Sequence, residues 1–158
     1  MANNGPDHKI FYEYFYGQSY VISTISPAPA PAWFNITDGL GQWSLATSHA
    51  IALNNANTGQ IITQCSNKSW NIFGSVFLRG PTDQPYDVYG AIHINGALVP
   101  ESEMGIILPA TYCGLSMAFK CYGLLLQVNT TIEIMLRCPF ALPGWLTCDK
   151  AILHVWGT

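Results

Sequence analysis

The side chains that could do acid–base, nucleophilic or metal chemistry are few: four histidines, nine carboxylates and five cysteines in 158 residues. His8, His49, His93 and His154 stand apart from one another, and His93 and His154 sit at alternating positions of strand-like runs, where interface or surface roles are expected. Asp83 and Asp87 flank Tyr86 in one loop, and Glu101 and Glu103 lie in another. Either pair is spaced like a carboxylate dyad or a loop calcium site, but neither has EF-hand spacing. There is no G-x-S-x-G elbow, no H-E-x-x-H and no phosphate-binding glycine loop. The sequence therefore predicts no catalytic centre, no metal and no cofactor. With only six Lys and Arg, spread singly, and a net charge of −3, it lacks the basic stripe that nucleic acid requires.

Recognition chemistry is better represented. The loop RGPTDQPYD (79–87) combines two prolines with Arg79, Asp83, Tyr86 and Asp87. A stiff backbone with a polar-aromatic tip loses little entropy on contact. The loop PFALPGW (139–145) is equally rigid and carries Phe140 and Trp145, side chains that serve as binding hot spots or sugar-stacking platforms. These six residues are the receptor-binding candidates. The alternative for both loops is packing on their own domain or at a subunit contact.

Strands must position these loops. In YDVYGAIHINGALVP, Val88, Gly90, Ile92 and Ile94 alternate with Asp87, Tyr89, Ala91 and His93. That is the period of a half-buried strand, and Asn95-Gly96 is a hairpin signal. GLSMAFKCYGLLLQV, an Asn129-Thr130 turn, TIEIMLRC and KAILHVW follow. Upstream, IFYEYFY and SYVISTI read as two strands parted at Gly17-Gln18. PAPAPA (27–32) is a stiff extended connector without ladder donors. Trp33–Ile36, Trp43–Ala46, Ala50–Leu53, Gly59–Cys65 and Trp70–Arg79 are further strands. Residues 1–9 read as a flexible lead-in and 10–158 as one domain. Short strands with regular turn signals and no sustained helical period predict an all-β antiparallel sandwich.

Side-chain phase then suggests self-assembly. TIEIMLRC places Ile132, Ile134, Leu136 and Cys138 on one face, and Thr131, Glu133, Met135 and Arg137 on a wet one. Around residue 120, Met117, Phe119 and Leu125 share one face, while Tyr122, Leu124, Leu126 and Val128 share the other. Ile152 and Trp156 lie opposite Ala151, Leu153 and Val155, and the strand over 10–16 is aromatic on both faces. Charged residues are only 9% of the chain and apolar ones 49%, against roughly 25% charged in an ordinary soluble domain. Two-sided apolar strands in so uncharged a chain predict a homo-oligomer. The interface candidates are Tyr12, Tyr14, Tyr122, Leu124, Leu126, Ile152 and Trp156. No apolar run reaches the roughly 20 residues of a membrane span, so no membrane insertion is expected.

The cysteines, 65, 113, 121, 138 and 148, show no zinc spacing. They are expected to be mostly buried and reduced, with Cys138–Cys148 the best disulfide candidate because the two flank one loop. Sequons occur at Asn35, Asn67 and Asn129. MANNGPDHK has neither the charged n-region nor the apolar h-region of a signal peptide.

The layout resembles the C1q/TNF-like jelly roll, the fold of extracellular heads and of the tips of viral fibres and spore-surface filaments. The matching parts are the strand WNIFGSVFL, the hairpin IHINGALVP, the long pair MAFKCYGLLLQVNTTIEIML and the closing strand AILHVW, from about residue 57 onward. This chain has Asn129-Thr130 where the family usually turns on Gly-Asp. The resemblance implies a compact homotrimer of two sheets whose loops or clefts bind a receptor or glycan. The function expected from it is a receptor-binding viral fibre or spike head, located on the virion and attaching it to a host-cell protein or glycan. The alternatives are a secreted C1q/TNF-type ligand and a purely structural capsid or coat jelly roll.

Overall fold

The computed structural model describes residues 11–22, 32–36, 43–45, 51–65, 68–80, 84–110, 114–140 and 146–157, with the backbone alone at 11–22, 44, 45, 68, 147, 149, 156 and 157. In chain order the strands are β1 (Phe11–Ile22), β2 (Phe34–Asn35), β3 (Ser44–Leu45), β4 (Ile51–Asn55), β5 (Gln60–Thr63), β6 (Lys68–Arg79), β7 (Tyr86–Ile94), β8 (Ala97–Leu98), β9 (Met104–Leu108), β10 (Gly114–Leu126), β11 (Thr131–Arg137) and β12 (Leu146–Gly157). A single turn of 3-10 helix, Pro100–Ser102, joins β8 to β9. One sheet has five strands, ordered β10-β6-β12-β1-β3; the other has seven, ordered β4-β5-β11-β7-β8 with β2 on β11 and β9 on β7. The pairings are antiparallel, giving an all-β antiparallel sandwich of jelly-roll type.

Period-two burial makes the core. Trp70, Ile72, Val76 and Leu78 of β6 face Val88 and Ile92 of β7 and Ile132, Ile134 and Leu136 of β11, all nearly inaccessible. Gly90 and Gly74 leave room for the Phe119 ring between the sheets: a Cβ on Gly90 would lie 2.5 Å from its Cζ.

The structure departs from the sequence reading at several elements. The first strand runs unbroken through Gly17-Gln18, because β1 pairs with β12 on both sides of that dipeptide. The segment read as loop between residues 99 and 113 contains β9, which lies along β7 from Tyr86 to Gly90. The strand around residue 120 changes phase partway. Met117, Phe119 and Cys121 point inward, the register shifts between Cys121 and Leu124, and thereafter Leu124 and Leu126 point inward. Gly123, at φ +66°, forms the bulge, and its N–H donates to Asn71 Oδ1 at 3.2 Å. Leu126 is therefore a core residue, 7% exposed, and Leu124 packs against the core. Leu125, read as sharing a face with Met117 and Phe119, is 77% exposed. Both leucines leave the set of interface candidates.

Two side chains read as wet are covered. His93 and Glu133 are directly opposite each other on the outer face of the seven-stranded sheet and only 4% and 6% exposed. The best disulfide candidate, Cys138–Cys148, forms no bridge: the Cys138 thiol is free, and both side chains are buried.

Candidate functional site

Strand ends bring the recognition loops together. Arg79, the last residue of β6, is the register partner of Gly114 at the start of β10 and of Thr147 near the start of β12. Tyr86 opens β7 opposite Leu108, the last residue of β9, and Arg137 closes β11 opposite Tyr89. The loops after β6 and after β11 thus emerge at one pole of the sandwich. The backbone there is tightly seated. Gly114 leaves space for the Phe77 ring and the stem of Arg79, and Gly80 sits against Leu108. Arg79, Tyr86 and Asp87 are half-buried, whereas Phe140 is 72% exposed. A phenyl ring presented to water is apolar area ready to be covered by a partner. Asp83 and Trp145, the other two candidates, lie outside the described residues.

The opposite pole is held by hydrogen bonds. Thr63 Oγ1 donates to the Gln127 carbonyl at 2.6 Å and accepts from the Thr130 N–H at 2.9 Å, while Thr130 Oγ1 donates to the same carbonyl at 2.8 Å. Asn95 Oδ1 accepts from the Thr131 N–H at 2.9 Å. Asn95 and Asn129 both take positive φ, 50° and 64°, where asparagine is tolerated. The chain enters β1 at this pole, Phe11 pairing with Gly157.

The outer face of the five-stranded sheet carries the assembly candidates. Across it run the rows Lys120–Phe73–His154–Tyr14 and Ala118–Ser75–Ile152–Tyr16, and Trp156 is the register partner of Asn71 and Tyr12. Phe73, Phe77, Ile152 and His154 are half-buried, and Tyr122 is 61% exposed. An open hollow of about 360 Å³ is lined by Ser75, Phe77, Ser116, Lys150 and Ile152. Tyr122 and Ile152 keep their place as candidates. Tyr12, Tyr14 and Trp156 have their backbones on strands of this sheet, and their side chains lie outside the described residues. Burial lowers the pKa of His154, so this face carries a neutral imidazole at pH 7.

One cluster was missed by sequence reasoning. On the outer face of the seven-stranded sheet the Arg137 guanidinium lies over the Trp33 ring at 5.0 Å and over the Tyr89 ring at 4.9 Å, and its Nη2 pairs with Glu103 Oε1 at 2.6 Å. The Trp33 ring meets His93 in an edge contact at 4.9 Å, and Asn35 Nδ2 donates to Glu133 Oε2 at 3.3 Å. The alternation of His93, Glu133 and Arg137 was visible; that β2 pairs with β11 beside them was not. Burial depresses the His93 pKa, an effect partly offset by a hydrogen bond with the Gly96 backbone and by Glu133 and Glu103. Among the described residues no three His, Cys, Asp or Glu side chains form a metal-binding group, and no helix is long and apolar enough to cross a membrane.

No protein-family model and no curated protein matches the sequence. Solved structures do match in fold. An Eiger TNF from S. frugiperda superposes with a TM-score of 0.58 at 11% identity, covering 94% of this chain and 92% of that one. Murine APRIL superposes with a TM-score of 0.52 at 8% identity, covering 94% and 100%. The PRD1 vertex protein P5 gives 0.49 at 11% identity, covering 93% and 95%. Two sheets in this strand order, superposable over nearly the whole chain on the Eiger TNF and APRIL structures, give the molecule the C1q/TNF-like fold.

Proposed function

We propose that this chain is a trimeric, non-enzymatic receptor-binding head, of the kind carried at the tip of a viral fibre or spike, and that it attaches the virion to a host-cell protein or glycan. The observation that carries the reading is the convergence of the two recognition loops at one pole, with Phe140 standing exposed, while the chain enters β1 at the other. A shaft joined before β1 would hold that pole outward. The outer face of the five-stranded sheet, where Phe73, Phe77 and Ile152 stand half-buried among polar side chains, supplies a surface for association of copies. Buried unpaired thiols at Cys121 and Cys138 suit a chain folded in a reducing compartment.

A secreted ligand is the second reading. It is favoured by Asn129, the one sequon asparagine among the described residues that is exposed on a turn.

Binding of the recombinant chain to cultured cells and to a glycan array tests the proposal. Wild-type protein should bind, and Phe140→Ala and Asp87→Ala should weaken binding at least tenfold with unchanged thermal melting. Binding that both variants retain would move the contact away from this pole, and no binding to any cell or glycan would favour a structural coat protein. Light scattering should give a trimer, and Ile152→Glu should shift it to monomer with its circular dichroism intact; a wild-type monomer would refute the assembly face.

A further inference from the structure

The cluster over the seven-stranded sheet has a composition that responds to protons. His93 is almost fully buried, and its Nε2 has no hydrogen-bond partner. Burial disfavours the protonated imidazole, and the Gly96 backbone, Glu133 and Glu103 offset only part of that cost. The groups around it come from every neighbouring element. β11 supplies Glu133, directly opposite, and Arg137. The residue between the 3-10 turn and β9 supplies Glu103. β7 itself supplies Tyr89. β8 contributes the uncharged Leu98, and β2 and its preceding residue contribute the uncharged Asn35 and Trp33.

The two carboxylates are already engaged. Glu103 is paired with Arg137, and Glu133 accepts the amide of Asn35. A proton on Nε2 would thus add a second cation beside a tryptophan ring that already carries the Arg137 guanidinium on its face. It would do so on a nearly inaccessible imidazole whose Nε2 has no hydrogen-bond partner to share the charge. The element that carries Trp33 and Asn35 is lightly paired. β2 pairs with β11 at only two positions, Met135 with Asn35 and Leu136 with Phe34.

We infer that His93 is an acid-sensitive latch: neutral, it holds Trp33 and Asn35 against the seven-stranded sheet, and protonated, it releases the β2 segment and uncovers Phe34 and Ile36. The direction follows from linkage. A closed-state pKa below the ordinary histidine value means that the open state binds the proton first. Closure is then fully favoured above a pH of about 6.5 and weakens as the pH falls from there to the closed-state pKa. Opening should increase by up to about tenfold for each unit by which the closed-state pKa lies below the open one.

Hydrogen–deuterium exchange of the full chain, read on the peptide covering residues 32–36 at pH 7.5 and pH 5.0 and corrected for intrinsic exchange rates, tests this. Protection of that peptide should fall at pH 5.0 while β6 and β12 stay protected. His93→Phe keeps an aromatic ring beside Trp33 and should abolish the acid response. Glu133→Gln keeps an acceptor for Asn35 but removes the facing carboxylate, and should move opening to higher pH. Equal protection at both pH values, or an acid response that survives in His93→Phe, would overturn the latch. If neither variant folds, NMR titration of His93 in the wild type decides: a midpoint at or above about 6.5 would refute it.

Discussion

Side-chain phase after the Gly123 bulge can be tested with two leucines one residue apart. Leu126 has lost nearly all of its accessible surface and Leu125 less than a quarter, at 7% and 77% exposure. Burying a leucine completely is worth roughly 2 kcal/mol in transfer free energy. Leu125→Ala should therefore cost no more than about 0.5 kcal/mol. Leu126→Ala leaves a cavity between the sheets as well, and should cost about 3 kcal/mol, within the roughly 2–5 kcal/mol of buried leucine truncations. For a chain of this size each kcal/mol moves the melting temperature by about 2–4 °C. The expected fall is about 6–12 °C for Leu126→Ala and at most about 2 °C for Leu125→Ala. Calorimetry at one fixed protein concentration is the assay, since association would make melting concentration-dependent. Gly123→Ala adds a Cβ that meets no atom within 4 Å but sits at φ +66°, so it should cost about 1–2 kcal/mol through backbone strain alone. If Leu125→Ala proved the more damaging, or if Leu126→Ala dissociated an oligomer without lowering the melting temperature, the inward phase of β10 would be wrong.

Thr63→Val removes the hydroxyl that serves both the Gln127 carbonyl and the Thr130 N–H. It should lower stability by about 1–3 kcal/mol in urea unfolding. Gly90→Ala forces a Cβ against the Phe119 ring and to 2.9 Å from Met117 Sδ; urea midpoints should show a loss of about 1–3 kcal/mol from overpacking, whereas Gly96→Ala, which crowds nothing, should show only the cost of its positive φ. Burial pushes the Cys138 thiol up to about 12. It therefore stays protonated at pH 8, and an aromatic disulfide reagent should react with it only after denaturation. Rapid labelling in the native state would contradict its burial.

What was legible in the sequence is what local periodicity encodes. The alternation of β7, β11 and β12 carries through to the core, because one apolar face per strand can be satisfied in only one register. The failures share a physical cause. A bulge adds one residue and reverses the phase beyond it, so Leu124, Leu125 and Leu126 each took the wrong face. Gly123 was visible in the sequence, but a glycine inside a strand marks either a bulge or a close approach, and Gly90, which makes room for Phe119, is the second kind. β9 was hidden because Met104–Leu108 is a short edge strand with exposed Met104 and Ile107. Of the recognition candidates, the gathering of Arg79, Tyr86, Asp87 and Phe140 at one pole depends on strand order, which no local pattern reports. The His93 cluster depends on β2 pairing with β11 at only two positions, with Asn35 and Glu133 98 residues apart in sequence.

Pairing of β1 with β12 runs from Phe11 opposite Gly157 to Ile22 opposite Leu146. Opposed residues in an antiparallel pair lie about 5 Å apart, so a short glycine-rich linker could join Gly157 to Phe11 without disturbing either sheet. New ends could then be opened in the loop after β6 or the loop after β11. A chain permuted in this way should keep its core while presenting its own ends at the pole of Phe140. That would make the molecule a display scaffold whose direction of attachment can be reversed by choice of where the backbone is cut.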